Sequence, residues 1–408
     1  LAYTPLTYAG PFKYGEKITV FSVKTFNNIA PEGIAVFDKK DYSVGPEQAG
    51  PDAILLRSHK LQEAEIDASV KAIGRAGAGV NNVPVDSCTA RGIPVFNAPG
   101  ANANAVKELV MAGLLLGSRG IIPGIKYVDE LASLEDNDAM NKLLEQEKKR
   151  FKGGEIQGKT LGVVGLGAIG SQVANMALSM GMNVIGYDPA ISIEAAWRLS
   201  SKVEKMNSIE ALFGKADFIS LHLPVLDATR DLVNEKLLKV AKPNCKILNF
   251  ARAEIVSGEA IIKALDAGII AGYIADFPKP GMIGREDVLL MPHIGASTEE
   301  AEVNCAVMAA KELQDYLENG NVLNSVNFPP LSLDRTSGYR LTVCNINVPS
   351  MLGSITAVLA ENEINVIDLL NKSRGDMAYN IIDVEQQPTE SVVTALTAIE
   401  GVTAVRLL

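Results

Sequence analysis

The sequence predicts an α/β chain, with two helix-covered parallel sheets followed by a small β-α-β-β-α-β tail. Three observations carry that prediction. Short apolar runs alternate with helical-period segments from Ile18 onward, the pattern of a parallel sheet buried on both faces. A glycine-rich turn, "GVVGLGAIG" (162–170), opens a helix directly after one such run. The stretch from Tyr339 to Leu408 follows a proline-bearing segment and carries its own strand and helix pattern.

Taken in order, "ITVFSV" (18–23), "AILLRS" (53–58), "KAIGRAG" (71–77) and "IPVFNAP" (93–99) read as buried strands, each followed by Gly, Pro or Asn. Residues 102–117 read as a helix stopping at Gly117, and Asp136–Lys152 as a charge-rich helix whose "KKRFK" (148–152) is a solvated face. A second block, Lys159 to Pro292, offers the strands "TLGVVG", "NVIGYD", "FISLHLP", "KILNFAR", "GYIADF" and "VLLMP". An amphipathic helix follows from Thr298 to Glu318, ending at Asn319-Gly320. Residues 327–338 hold two prolines and no period, which predicts a linker. The tail reads strand (340–346), helix (350–362), strand (364–372), strand (378–385), helix (389–399), strand (402–407), a ferredoxin-like order.

Bulk properties narrow the function classes. At about 100–200 residues per domain, 408 residues predict two to four domains. A net charge of −10 disfavours general nucleic-acid or acidic-membrane binding, while leaving room for a local site for a small anion. Cys88, Cys245, Cys305 and Cys344 are widely spaced without a C-x-x-C pair, so neither a disulfide framework nor a metal site is expected. Reduced thiols fit a cytoplasmic protein. "LAYTPLTYAGPFKYGEK" lacks the basic start and apolar run of a signal peptide. No run of about 18 apolar residues is present to span a membrane.

The turn holds Gly165, Gly167 and Gly170 in G-x-G-x-x-G spacing between a strand and a helix, with Asp188 closing the next strand. That context predicts a dinucleotide site. Gly165 allows the tight turn, Gly167 lets the pyrophosphate approach the backbone, and Gly170 lets helix and strand pack closely. Asp188 accepts from a ribose diol and repels a 2′-phosphate, which favours NAD over NADP. A nicotinamide enzyme also needs a proton acceptor and a cation for its substrate. Arg252 and His293 each end a strand after the turn. Each also has a plainer reading, a surface charge for the arginine and a backbone-bonded strand end for the histidine. Two such groups flanking one cofactor crevice favour catalysis. The other two histidines are His59 and His222.

In order, "RAGAGVNNV", "NAPGANANAVKELV", "GVVGLGAIG", "SLHLP", "NFARAEIV" and "MPHIGAST" resemble the D-2-hydroxyacid dehydrogenase family, and the tail resembles an ACT domain. The resemblance implies a Rossmann-type NAD domain (111–289) inserted in a flavodoxin-like substrate domain (1–110 and 290–330), plus a ferredoxin-like ACT domain (338–408). It implies NAD-dependent oxidation of 3-phospho-D-glycerate at the start of L-serine synthesis. His293 would be the acid/base, and Arg252 would orient and polarise the substrate. Arg57, Ser58, Arg75, Ala78 and Gly79 would hold the carboxylate and phosphate. Ala168, Ile169, Pro224, Ala251, Asp276 and Gly295 would line the NAD site with the fingerprint residues. The tail's Asn345, Asn347 and Asn365 would bind L-serine as an inhibitor, although asparagines also serve turns and caps. Tail pairing together with an NAD-domain dimer would give a homotetramer.

The sequence departs from the family at three places. The glutamate usual five residues after the aspartate is Gly281 here, with Lys279 nearby. A carboxylate from Glu286 or Asp287 would replace it, or His293 would work without a partner, or catalysis would be lost; the first two are favoured together. Ala253 and Ser350 stand where glycines are usual, so alanine would add strain if φ there were positive, and the serine would narrow an effector pocket. Two other readings follow: a hydroxypyruvate or glyoxylate reductase, and a catalytically weak NAD- or amino-acid-sensing protein.

Overall fold

The computed structural model describes residues 20–335 and 337–408, apart from the side chain of Glu194. Residues 18–19 of the first predicted strand and the stretch read against a signal peptide lie outside the described residues. The chain groups into two units, one made of the residues up to Pro99 with Glu302–Leu408, the other of Gly100–Ala301.

In the first unit, β1 (Phe21–Phe26), β2 (Tyr42–Gly45), β3 (Ala53–Leu56), β4 (Ala72–Arg75) and β5 (Val95–Asn97) form an all-parallel sheet ordered β2-β1-β3-β4-β5. All four residues of β3 are buried, as expected of a strand covered on both faces. The sequence reading missed β2, a short edge strand with a single buried residue, Tyr42. The helix Glu299–Asn319 packs closely on this unit. Glycines permit that approach, since a Cβ on Gly33 would lie 2.6 Å from the Ala306 Cβ and one on Gly74 would lie 2.9 Å from Leu313.

The second unit carries β6 (Thr160–Val164), β7 (Asn183–Tyr187), β8 (Glu204–Lys205), β9 (Phe218–Leu221), β10 (Lys246–Asn249), β11 (Gly272–Ala275) and β12 (Val288–Leu290). These form a parallel sheet ordered β12-β11-β10-β9-β6-β7-β8. The order reverses between β6 and β9, and an open sheet binds ligands outside its carboxyl ends at such a point. Helix Ala103–Ser118 packs on helix Ala168–Ser179 over one face. The short helices Ile121–Glu130 and Ile193–Arg198 were not anticipated.

The tail belongs to the first unit. β13 (Tyr339–Ile346), β14 (Val366–Arg374), β15 (Met377–Val384) and β16 (Val402–Leu407) pair antiparallel in the order β14-β15-β13-β16. Helices Met351–Glu361 and Glu390–Thr397 cover one face through Leu341, Val343, Ile355, Leu359, Ile382 and Leu396. All eight residues of β15 are buried, so the opposite face is covered as well. Its cover is the end of helix Glu299–Asn319 and the segment beyond it. Tyr379 Oη donates to Gly320 O at 2.7 Å. Arg406 donates to Tyr316 O and Leu317 O at 3.1 and 2.8 Å, and Arg374 to Ser325 O at 2.8 Å. The last carbonyls of a helix have no partner within it, and Arg406 supplies one, while Tyr379 and Arg374 hold the segment that follows. The predicted linker is thus a packed segment: Phe328 is fully buried and Val322 pairs with Leu331.

One buried pair anchors this arrangement. Arg340 Nε and Nη2 reach the two oxygens of Asp383 at 2.6 and 2.8 Å, and Nη1 donates to Asn319 O and Leu333 O. Both side chains are at most 5% exposed. Removing one partner of a buried pair leaves an uncompensated charge, which costs about 3–5 kcal/mol. Asp383→Ala is therefore expected to raise hydrogen exchange throughout 339–408. The exposed Lys148–Glu145 pair should contribute almost nothing by the same measurement. Ser350 caps its helix at φ 73, so Ser350→Gly should stabilise the tail by roughly 0.5–1 kcal/mol in denaturant titrations. Ala253, in contrast, has no positive φ, so the condition for strain there is not met.

Candidate active site

The fingerprint glycines behave as three distinct devices. Gly165 has φ 88, and a Cβ on it would lie 2.4 Å from His222 O. A Cβ on Gly170 would lie 1.9 Å from Gly165 O, so only glycine lets the helix approach the strand. A Cβ on Gly167 would meet nothing within 4 Å. That open space adjoins the start of helix Ala168–Ser179, which Gly167 caps, and helix N-termini favour phosphate. Ala168 and Ile169 form its first turn. These residues fit a dinucleotide pyrophosphate.

Asp188 follows β7 directly. Its Oδ2 accepts from Leu166 N at 2.8 Å and its Oδ1 from Ala190 N at 2.9 Å. The carboxylate that would read the ribose therefore also fixes the glycine turn. Pro224 lies beyond β9, on the exposed side of the "HLP" stretch.

β10, β11 and β12 are neighbours, with Asn249 opposite Ala275 and Ala275 opposite Leu290. Just past their carboxyl ends come Ala251-Arg252, Asp276 and His293-Ile294-Gly295, so adjacent strands gather these groups at one edge. Asp276 is 1% exposed. Its Oδ1 accepts from Ile294 N at 2.8 Å and its Oδ2 from Gly295 N at 2.7 Å. This carboxylate fixes the loop bearing His293, which is exposed, has φ 57 and packs its ring 4.9 Å from that of Phe277. Strained backbone of this kind persists where its surroundings hold it in place.

Arg252 is extended and half-buried, with Nη1 donating to Ala251 O at 2.7 Å. Its carbonyl accepts from Asn249 Nδ2 at 2.9 Å. Lys279 Nζ donates to Ala253 O and Val256 O at 3.2 and 3.0 Å, tying the altered loop to the arginine turn. Asn249 and Lys279 are positioning groups that the sequence reading did not identify as such. The asparagine closing "KILN" was a visible signal. Both oxygens of Asp287 pair with Arg285, and among the described residues neither Asp287 nor Glu286 makes a hydrogen bond or ion pair with His293, against the expected replacement carboxylate. Gly281 has φ 84, a conformation that disfavours a glutamate at this position.

In the first unit, Arg57 and Ser58 follow β3, and Arg75 ends β4. Asn82 Nδ2 donates to Arg57 O and His59 O at 3.1 and 2.7 Å. Asn27 Oδ1 accepts from Ser58 N at 3.1 Å and His59 N at 2.5 Å. Asn97 Nδ2 donates to Ala78 O at 2.5 Å, which steadies the loop carrying Ala78 and Gly79. His59 bonds Glu65 at 3.0 Å and stacks on Phe26.

His222, for which the resemblance implies a structural role, follows β9 directly. Its Nε2 pairs with Ser220 Oγ at 2.8 Å. Nδ1 is sealed from solvent without a partner among the described residues. Burial pushes its pKa from 6.5 down to about 3. Between those values the unfolded chain binds a proton that the folded chain excludes, so stability falls as pH drops through this window. Urea midpoints should therefore decline from pH 7 to pH 4.5, and less steeply in His222→Phe.

Comparison with known proteins adds four findings. Residues 127–295 match the family model "D-isomer specific 2-hydroxyacid dehydrogenase, NAD binding domain". The chain is 34% identical over 367 residues to a D-3-phosphoglycerate dehydrogenase of Escherichia coli, covering 86% of this chain and 85% of that one. It is 37% identical over 336 residues to one of Synechocystis, covering 80% of this chain but 57% of that relative's length. An NAD+-bound 3-phosphoglycerate dehydrogenase of Entamoeba histolytica superposes with TM-score 0.58 at 27% identity, covering 76% of this chain and 99% of that chain.

Proposed function

The chain belongs to the D-isomer specific 2-hydroxyacid dehydrogenase family, and we propose that it oxidises 3-phospho-D-glycerate to 3-phosphohydroxypyruvate as the entry to L-serine synthesis in the cytoplasm. The observation that carries the reading is the gathering of Arg252, Asp276 and His293 past the ends of three adjacent strands of the sheet that bears the fingerprint. Gly165, Gly167, Ala168, Ile169, Gly170, Asp188, Pro224, Ala251, Asp276 and Gly295 would hold NAD. NAD, when bound, accepts the hydride from the substrate's C2. His293 takes the proton of the C2 hydroxyl, and in the reverse direction it returns that proton to the keto oxygen. Arg252 presents its guanidinium to the substrate carboxylate and to the C2 oxygen, where charge develops. Arg57, Ser58, Arg75, Ala78 and Gly79 bind the remaining anionic group. Arginine suits it because its forked donors match carboxylate and phosphate oxygens.

We read the tail as an ACT domain that binds L-serine and inhibits. Asn345 is buried with its amide engaged by Ile346 O and Asn380, so the effector reading rests on Asn347 and Asn365, which lie at the exposed side of the tail. Pairing of tails and of NAD domains would make the protein a homotetramer. The absence of a carboxylate contact to His293 among the described residues favours a second reading, an NAD-binding sensor without turnover.

The deciding assay is NADH oxidation with phosphohydroxypyruvate. Turnover should fall by about 10²–10⁴-fold in His293→Gln, and L-serine should slow the native protein. NAD binding with no turnover of phosphohydroxypyruvate or hydroxypyruvate would support the sensor instead. Because Asp188 also fixes the turn, Asp188→Ser should lose more affinity for NADH than it gains for NADPH, measured by fluorescence titration.

A further inference from the structure

Arg57 follows β3 on a backbone held from two sides, by Asn27 and by Asn82. Its long side chain is not fixed by that arrangement. Among the described residues one group meets its guanidinium: Glu302 Oε1, 2.6 Å from Nη2. The contact engages one nitrogen and leaves the rest of the fork for an incoming anion. Glu302 itself stands on a helix that has little freedom to shift. Four residues on, Ala306 lies against Gly33 so closely that a Cβ there would be 2.6 Å away. Further along, Leu313 lies against Gly74 in the same way. The far end of the helix is held by Arg340, Arg406 and Tyr379 of the tail.

We propose that Glu302 is a positioning residue for the substrate's anionic group, holding the Arg57 guanidinium in its binding orientation from a helix fixed at its other end by the tail. The proposal rests on the reading above that Arg57 binds substrate. Both side chains are more than a third exposed, and exposed pairs contribute little to stability. Its effect is therefore expected in substrate affinity rather than in unfolding.

The test is steady-state kinetics of the full chain with phosphohydroxypyruvate and NADH, comparing native protein with Glu302→Ala and Glu302→Gln. Freeing one rotamer-rich side chain predicts a rise in KM for phosphohydroxypyruvate of about three- to tenfold in Glu302→Ala. Glutamine keeps an acceptor at the same reach, so its KM should fall between the two. The kcat, the KM for NADH and the unfolding midpoint should stay at native values. An unchanged KM for phosphohydroxypyruvate overturns the role of Glu302. So does a lower one, which would mark Glu302 as a competitor of the substrate, and so does a matching loss in kcat or in the KM for NADH. Native protein that neither turns over nor binds phosphohydroxypyruvate overturns the functional reading itself, and with it this role.

Discussion

The candidate site depends above all on the buried carboxylate of Asp276 and the two backbone N–H groups it accepts. A carboxylate this deep is costly unless its oxygens are satisfied, and charge-assisted bonds to Ile294 and Gly295 satisfy them. The same two bonds fix the turn that lifts His293 into the left-handed region and exposes its ring. Asp276 directly follows β11, whose pairing with β10 and β12 sets where Arg252 and His293 emerge. Sheet register, loop anchoring and the placement of His293 are therefore one constraint, and a shift of register in β12 would displace the histidine along with its anchor.

The first unit is organised differently, around one long helix. Gly33 and Gly74 let it lie close on its unit, and its last carbonyls accept from Arg340 and Arg406 of the tail. The tail's second sheet face would otherwise expose Tyr379, Ile381 and Thr342 to water. Burying it satisfies two needs at once: the sheet gains a cover, and the helix gains partners for its last turn. Such a tail is a packed part of its unit, not a module hung on a flexible connection.

How far the sequence revealed this depended on whether each signal was local. The fingerprint was legible because glycine is nearly the only residue that tolerates φ 88 or a 1.9 Å approach, and both demands act within a few residues. Continuous apolar runs marked β3, β6 and β9 because strands buried on both faces carry no alternation. β2 escaped because a short edge strand buries too little to leave a pattern. The segment through Phe328 looked like a linker because its apolar residues follow no period, yet Phe328 packs edge-on against Tyr379 of β15. Asn27, Asn82 and Asn249 hold backbone that lies far away in the chain or around a turn, and an asparagine's partner cannot be read from its own neighbourhood.

The loop after Asp276 shows why an apparent loss need not be only a loss. Gly281 turns the chain at φ 84, which no longer carries a carboxylate toward the histidine. The same loop brings Lys279 onto the carbonyls of Ala253 and Val256, directly beyond Arg252. The loop thus supports the arginine turn. An ion pair to the imidazole would orient the ring and favour its charged form. Backbone anchoring by Asp276 and packing on Phe277 supply the orientation instead. In this arrangement the geometry is kept by hydrogen bonds to the main chain and by a ring contact.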